Sequence, residues 1–391
     1  MSGLGGANIR AGEDQFGLHF RLLGPGQDAA QAGFALFRQF PLSISTGGLP
    51  LRDTMTEEVY GHARSLATSM NGELSNGLPR LAAMGNQIVM ADTGMPVLLR
   101  GLNRSGLEYS EPNQEGFAAS AGISLYEIQW MTHQWNANIL RIPFNQDWAL
   151  FGRAGRQGED YLADLDQVIH WAALHGAYTL LDLQWLSMDR AHGHGNMMVP
   201  PLPNPQTPHL WRMLARRYRN EPAVLFDLFN EPHDRLPEDR YPLFRADGSE
   251  YHPVHSTVSM TEWQPWVLVL IDTIREEAPE SLTFVSGTNW AYDLRGFPVE
   301  RGNLVYSTHV YPGKGSNWEA AFGYLARFIP VFAAEFGGLE TDLSWGQRLL
   351  SFFDARGMGW TAWSWSDQPR MAREYEPTAF GEIVQKRLLE R

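Results

Sequence analysis

Val224-Leu-Phe-Asp-Leu-Phe-Asn-Glu-Pro232 is a short, nearly continuous apolar run that closes on a carboxylate. A run of that length, stopped by proline, reads as a strand buried on both faces, the mark of a parallel sheet. Glu231 at its end is desolvated by its neighbours and therefore needs a partner or a task. Pro330-Val-Phe-Ala-Ala-Glu-Phe-Gly-Gly338 repeats the pattern and carries Glu335.

Six further runs share this texture: Val97–Asn103, Asn138–Phe144, Tyr178–Trp185, Leu282–Trp290, Leu304–Tyr311 and Gly359–Ser366. Amphipathic segments lie between them. Asp160 to Gly176 sets Leu162, Leu165, Ile169 and Ala172 at helical spacing, with Asp160 as the expected N-cap and Gly176 as the stop. Thr261–Pro279 and Leu343–Arg356 behave alike. Eight strands with intervening helices predict an α/β fold of the (β/α)8 TIM-barrel type. An open doubly wound sheet is the rival, but no Gly-x-Gly-x-x-Gly follows the first run. Residues 1–80 are irregular and read as an N-terminal extension or small appendage, leaving 81–391 as the barrel domain.

Bulk properties exclude more than they select. The formal net charge of −13 argues against a nucleic-acid surface, whose affinity rests on Lys and Arg. Without cysteine, disulfides, thiolate–metal sites and a cysteine nucleophile are ruled out. No run approaches the roughly 18 apolar residues of a membrane span. Met1-Ser-Gly-Leu-Gly-Gly lacks the basic and apolar pattern of a signal peptide. A monomer without a cofactor is expected.

A barrel demands that functional residues gather at the C-terminal ends of its strands. The runs end on Asn103-Arg104, Arg141, Gln184-Trp185, Asn230-Glu231, Asn289-Trp290, His309 with Tyr311, Glu335, and Trp363 with Trp365. Paired carboxylates suit glycosidic-bond hydrolysis, where one acid protonates the leaving oxygen and one carboxylate attacks carbon or activates water.

Asn-Glu-Pro on the fourth run, Glu-Phe-Gly on the seventh, Arg-Ile-Pro-Phe, His-Val-Tyr and Ala-Trp-Ser-Trp together resemble glycoside hydrolase family 5, from about Leu78 to Phe380. The resemblance implies a retaining (β/α)8 glycosidase with Glu231 as general acid/base and Glu335 as nucleophile. It further implies that Asn230 binds the sugar 2-hydroxyl and that Arg141 and Tyr311 hold Glu335 ionised. His309 would touch the sugar or the acid/base, and Trp363 would floor the −1 subsite. Asn103 and Gln184 join as supporting or substrate-binding residues. Trp185, Trp290 and Trp365 are candidate sugar platforms, with Trp290 in a segment whose family equivalents line the cleft. Secretion is implied by the family alone.

One departure stands out. The family pattern Asp-x-His on the third strand here reads Asp182-Leu-Gln-Trp185. Gln184 can hydrogen-bond a sugar hydroxyl but cannot titrate near neutral pH. His192-Gly-His194 with Asp189 is a weak metal hint; a solvated loop explains it better.

The expected substrate is a β-1,4-linked polysaccharide or oligosaccharide, as for an endo-β-1,4-glucanase. β-Mannanase, exo-acting β-glucosidase and, from another class, a non-catalytic carbohydrate-binding protein are the alternatives. Loops 186–208 and 232–260 would decide endo against exo action. The carboxyl pair should sit about 5–5.5 Å apart, with the pKa of Glu231 raised by burial and by its charged neighbour.

Overall fold

The computed structural model describes residues 74–187, 200–234, 243–252 and 257–390. Most of the expected N-terminal extension, His192 and His194, and parts of both cleft loops lie outside the described residues. Eight strands close a barrel: β1 Arg100–Asn103, β2 Ile139–Asn145, β3 Tyr178–Trp185, β4 Val224–Asp227, β5 Thr283–Ser286, β6 Leu304–Val310, β7 Val331–Phe336 and β8 Gly359–Ala362. Each pairs in parallel with its sequence neighbours, and β8 returns to β1. The longer helices around it are α1 Gly158–Leu174, α2 Thr207–Tyr218, α3 Met260–Glu277, α4 Leu343–Asp354 and α5 Ala379–Leu389. None of the described helices is long and apolar enough to cross a membrane.

The boundaries differ from the apolar runs in an instructive way. The fourth run was expected as strand through Glu231, but the β4 ladder ends at Asp227. Beyond it Leu228 still donates to the Phe284 carbonyl at 3.1 Å, and Asn230 to the Leu183 carbonyl at 3.1 Å. Glu231 therefore sits on the rim rather than in the sheet. α1 begins before Asp160, which is not its N-cap. The Asp160 carboxylate instead accepts from the Gln157 N–H at 2.9 Å, one half of a capping box.

Alternation along the strands divides the barrel interior into layers. The lower layer is apolar: Ile139, Leu180, Leu225, Phe284, Val305 and Phe332 pack together, all at most 1% exposed. Phe284 meets Phe332 edge-to-face with centroids 5.3 Å apart. A hairpin, Leu81–Met84 with Gln87–Met90, adds Leu81 and Ile88 to this cluster. Immediately before it, Ser75 donates through N–H and hydroxyl to Glu221, at 3.0 and 3.1 Å. Residues 74–80 thus pack on the barrel itself. Two positions further along the same strands the interior turns polar, and that layer carries the site.

Candidate active site

Arg141 organises the polar layer. It points inward from β2, two residues beyond Ile139, and is fully buried. Its guanidinium touches three carboxylates: Glu335 at 2.8 Å, Asp227 at 2.9 Å and Asp182 at 2.9 Å. It also donates to the amide oxygens of Asn103 and Asn230, each at 3.0 Å. A planar fork with five donors suits such a node, whereas an ammonium group would not span it.

Glu335 leaves β7 with one oxygen held by Arg141 and the other accepting from the Tyr311 hydroxyl at 2.7 Å. Burial, then the charges of Glu335 and Glu231, push the Tyr311 phenol well up, so it stays a donor. Glu231 approaches from the rim after β4. His309 on β6 bridges the two acids: its Nδ1 lies 2.8 Å from Glu231 and 3.5 Å from Glu335. Burial lowers the His309 pKa to about 3, which leaves the imidazole neutral. One oxygen of each acid and the His309 nitrogen all lie within 4.8 Å of one another.

The two carboxyls sit in unlike surroundings. Burial raises the Glu231 pKa to about 7, against the opposing charges of Arg141 and Lys314. The cause differs in part from expectation: desolvation acts on Glu231, while the charge of Glu335 is not among the causes. An acid of raised pKa beside a carboxylate held by a guanidinium and a phenol can divide proton donation from nucleophilic attack.

Glycine in the Glu335-Phe-Gly337 sequence has a steric reason. A Cβ on Gly337 would lie 2.9 Å from the Trp363 carbonyl oxygen and 3.3 Å from Tyr311 Cε1. Only a bare Cα lets β7 bring Tyr311 and Trp363 together around Glu335.

The remaining expected residues divide. Asn103 is fully buried, with its amide nitrogen spent on the carbonyls of Ala334 and Thr361 and its oxygen on Arg141. It is a strut and cannot touch a sugar. Asn230 gives its oxygen to Arg141 and is 1% exposed. Trp363 follows β8, half-buried, with Nε1 donating to the Gln368 carbonyl at 3.1 Å. Gln184, next to last in β3, is half-buried, and its amide oxygen has no hydrogen-bond partner among the described residues.

Trp185 is half-buried, its ring 5.7 Å from that of Tyr109. Trp290 is half-buried too, but His233 stacks on it at 3.9 Å and Lys314 lies over the ring at 5.8 Å. Trp365 is no platform. It is 4% exposed and packs edge-on against Trp135, so the core claims it.

Several neighbours of the site were missed from sequence. Asp182 and Asp227 are strand carboxylates inside apolar runs, so the reasoning that singled out Glu231 would have found them. His233 stands two residues after Glu231 and meets its backbone carbonyl at 2.7 Å. Lys314 and Tyr109 come from loops and carry no sequence signal. Around Trp290 the backbone is left-handed at three successive residues, Asn289, Trp290 and Ala291, with φ of 54°, 60° and 55°. Paired bonds between Thr288 and Asp293, and Trp290 N–H to the Pro232 carbonyl at 3.0 Å, hold this costly conformation.

Comparison with known proteins agrees with the barrel fold. The family model described as cellulase (glycosyl hydrolase family 5) matches residues 91–369. An endoglucanase of Microbulbifer sp. is 23% identical over 312 residues, covering 74% of this chain and 52% of that protein. An endoglucanase of Thermobifida fusca is 22% identical over 302 residues, covering 73% and 55%. The chain thus spans about half the length of these curated relatives. Among solved structures, a β-glucanase of Saccharophagus degradans in complex with cellotetraose superposes with a TM-score of 0.63 at 23% identity, covering 80% of this chain and 93% of that one. The catalytic domain of a Thermobifida fusca endoglucanase, also with cellotetraose, gives 0.59 at 18%, covering 82% and 99%. With its family model spanning well over half of the sequence, the chain belongs to glycosyl hydrolase family 5.

Proposed function

We propose that the protein is a retaining glycosidase that cleaves β-1,4-linked glucan, acting as an endoglucanase. The observation that carries the mechanism is the pair of unlike acids joined through His309, with oxygens within 4.8 Å. Inverting enzymes keep roughly 6.5–9.5 Å between their carboxyls to admit water, whereas retaining pairs stand about 5–5.5 Å apart. Support for the substrate comes from the relatives, which are endoglucanases, and from structural neighbours that bind cellotetraose.

In the first step a Glu335 oxygen attacks the anomeric carbon while the bond to the leaving oxygen breaks. That oxygen takes the proton of Glu231. In the second, water attacks the same carbon, its proton passes to Glu231, and the ester to Glu335 breaks. Arg141 and Tyr311 keep Glu335 anionic and aimed, and take up the charge of the departing carboxylate. Asn230 would hold the 2-hydroxyl through its amide nitrogen, Gln184 a further hydroxyl, and Trp363 would floor the sugar. Trp185, beside Tyr109, would stack a more distant ring, and Trp290 would meet one by its free edge.

Reducing-end release on a panel of β-glucans, mannan, xylan and aryl glycosides tests the reading. Glu335→Gln should lower kcat on the order of 10⁴-fold or more, as losses of a covalent nucleophile do. Glu231→Ala should regain turnover of activated aryl glycosides with azide. Substantial activity in Glu335→Gln would overturn the assignment, and activity on mannan alone would move the substrate.

A further inference from the structure

The polar layer holds more acid than its one cation can balance. Arg141, Asp182 and Asp227 have no exposed side-chain surface, and Glu335 keeps 5%. Three carboxylates within 2.9 Å of one guanidinium would leave two buried negative charges uncompensated. Burial makes that arrangement unfavourable unless a carboxyl takes a proton. Catalysis in the proposed mechanism requires Glu335 to remain ionised, so the proton must reside elsewhere.

Hydrogen-bond geometry separates the remaining two. Asp227 accepts a directed bond from Arg141 Nε at 2.9 Å. Asp182 lies as close, yet neither of its oxygens receives a directed hydrogen bond from a described residue. An anion is favoured by donors aimed at it, and Asp182 has proximity without aim.

We infer that Asp182 is a positioning residue that works un-ionised, a neutral carboxyl wedged against Arg141 that leaves its charge to Asp227 and Glu335. The titratable groups facing it come from four directions: Arg141 on β2, Asp227 on β4, Glu335 on β7 and Glu108 after β1. Burial pushes the Asp182 carboxyl well up; Asp227, Glu335 and Glu108 add to this and Arg141 opposes it. Asp227 is pushed up only to about 6, and buried Glu108 to about 8. His309 on β6 is neutral and supplies no balancing charge.

Asparagine copies the shape and neutrality of a protonated aspartate, so rescue by the conservative variant is the test. Asp182→Ala should lower kcat about tenfold with KM held, as the guanidinium loses one support. Asp182→Asn should restore kcat and keep the acidic limb of the pH–rate profile in place. Asp227→Asn should move that limb downward, since it removes an anion whose charge opposes ionisation of Glu335. An Asp182→Asn enzyme as impaired as Asp182→Ala, or with its acidic limb displaced, overturns the inference.

The activity arm rests on Glu335 being the nucleophile. A second arm does not. At neutral pH the infrared spectrum of wild type minus Asp182→Asn should contain a protonated-carboxyl band that shifts in D2O. A difference spectrum showing only ionised carboxylate would refute a neutral Asp182 whatever the enzyme hydrolyses. The band present with Glu335→Gln still active would instead sink the mechanism and leave this inference standing.

Discussion

Two layers of one barrel, two residues apart along the same strands, solve opposite problems. Ile139, Leu180, Leu225, Phe284 and Val305 form an apolar plug whose members are each at most 1% exposed. Arg141, Asp182, Asp227, Ser286 and Ser307 follow them on β2 to β6 and build a charged ring with equal burial. The plug gains stability by removing carbon from water. The ring gives up such stability to aim Arg141 at Glu335. Several polar atoms of the site, including Ser307 Oγ and His309 Nε2, find no hydrogen-bond partner among the described residues. Sites that bend local rules for function are sustained by neighbours that obey them.

The contrast can be broken from either side. Phe284→Ala opens the plug and should cost about 3–5 kcal/mol of unfolding free energy. Its kcat per folded molecule should stay near wild type, read by denaturant titration beside active-site-normalised kinetics. Arg141→Lys should do the reverse. It keeps the charge but loses the fork, and with about 3 kcal/mol of positioning gone, kcat should fall roughly 10²-fold. If both variants lost stability and rate alike, the two layers would not be functionally separate.

A third prediction follows from the raised pKa of Glu231, about 7. In the proposed mechanism the protonated form is the active one, so kcat/KM should hold below that pH. Above it the rate should fall about tenfold per pH unit. A basic limb unmoved in a Glu231→Gln enzyme assayed with an activated leaving group would assign that limb elsewhere. The smallest effect is expected outside both layers. Trp290→Ala removes an aromatic contact worth about 1 kcal/mol, so KM should rise several-fold with kcat retained.

The barrel was legible because its strands are apolar and punctuated, and Tyr178–Trp185 is recovered end to end. Strand ends were less so. Glu231 looks like the last strand residue by hydropathy, yet the paired ladder ends at Asp227, which no local pattern encodes. Glu231, Glu335, Arg141, Tyr311 and His309 converge as expected because strand ends in a barrel share one rim. Trp365 misled because an indole at a strand end looks alike whether it faces ligand or core; Trp135, distant in sequence, decided it. Lys314 could not be read at all, since its place beside Asn289 depends on two loops meeting in space.

The central claim is that Glu335 forms a covalent bond to the sugar with Glu231 as its acid. Proton NMR of the first products released from a β-linked cello-oligosaccharide tests it most directly. Two displacements at one carbon preserve configuration, so the new reducing end should appear first as the β-anomer and only later mutarotate. Initial release of the α-anomer would mean a single displacement by water and would contradict the account.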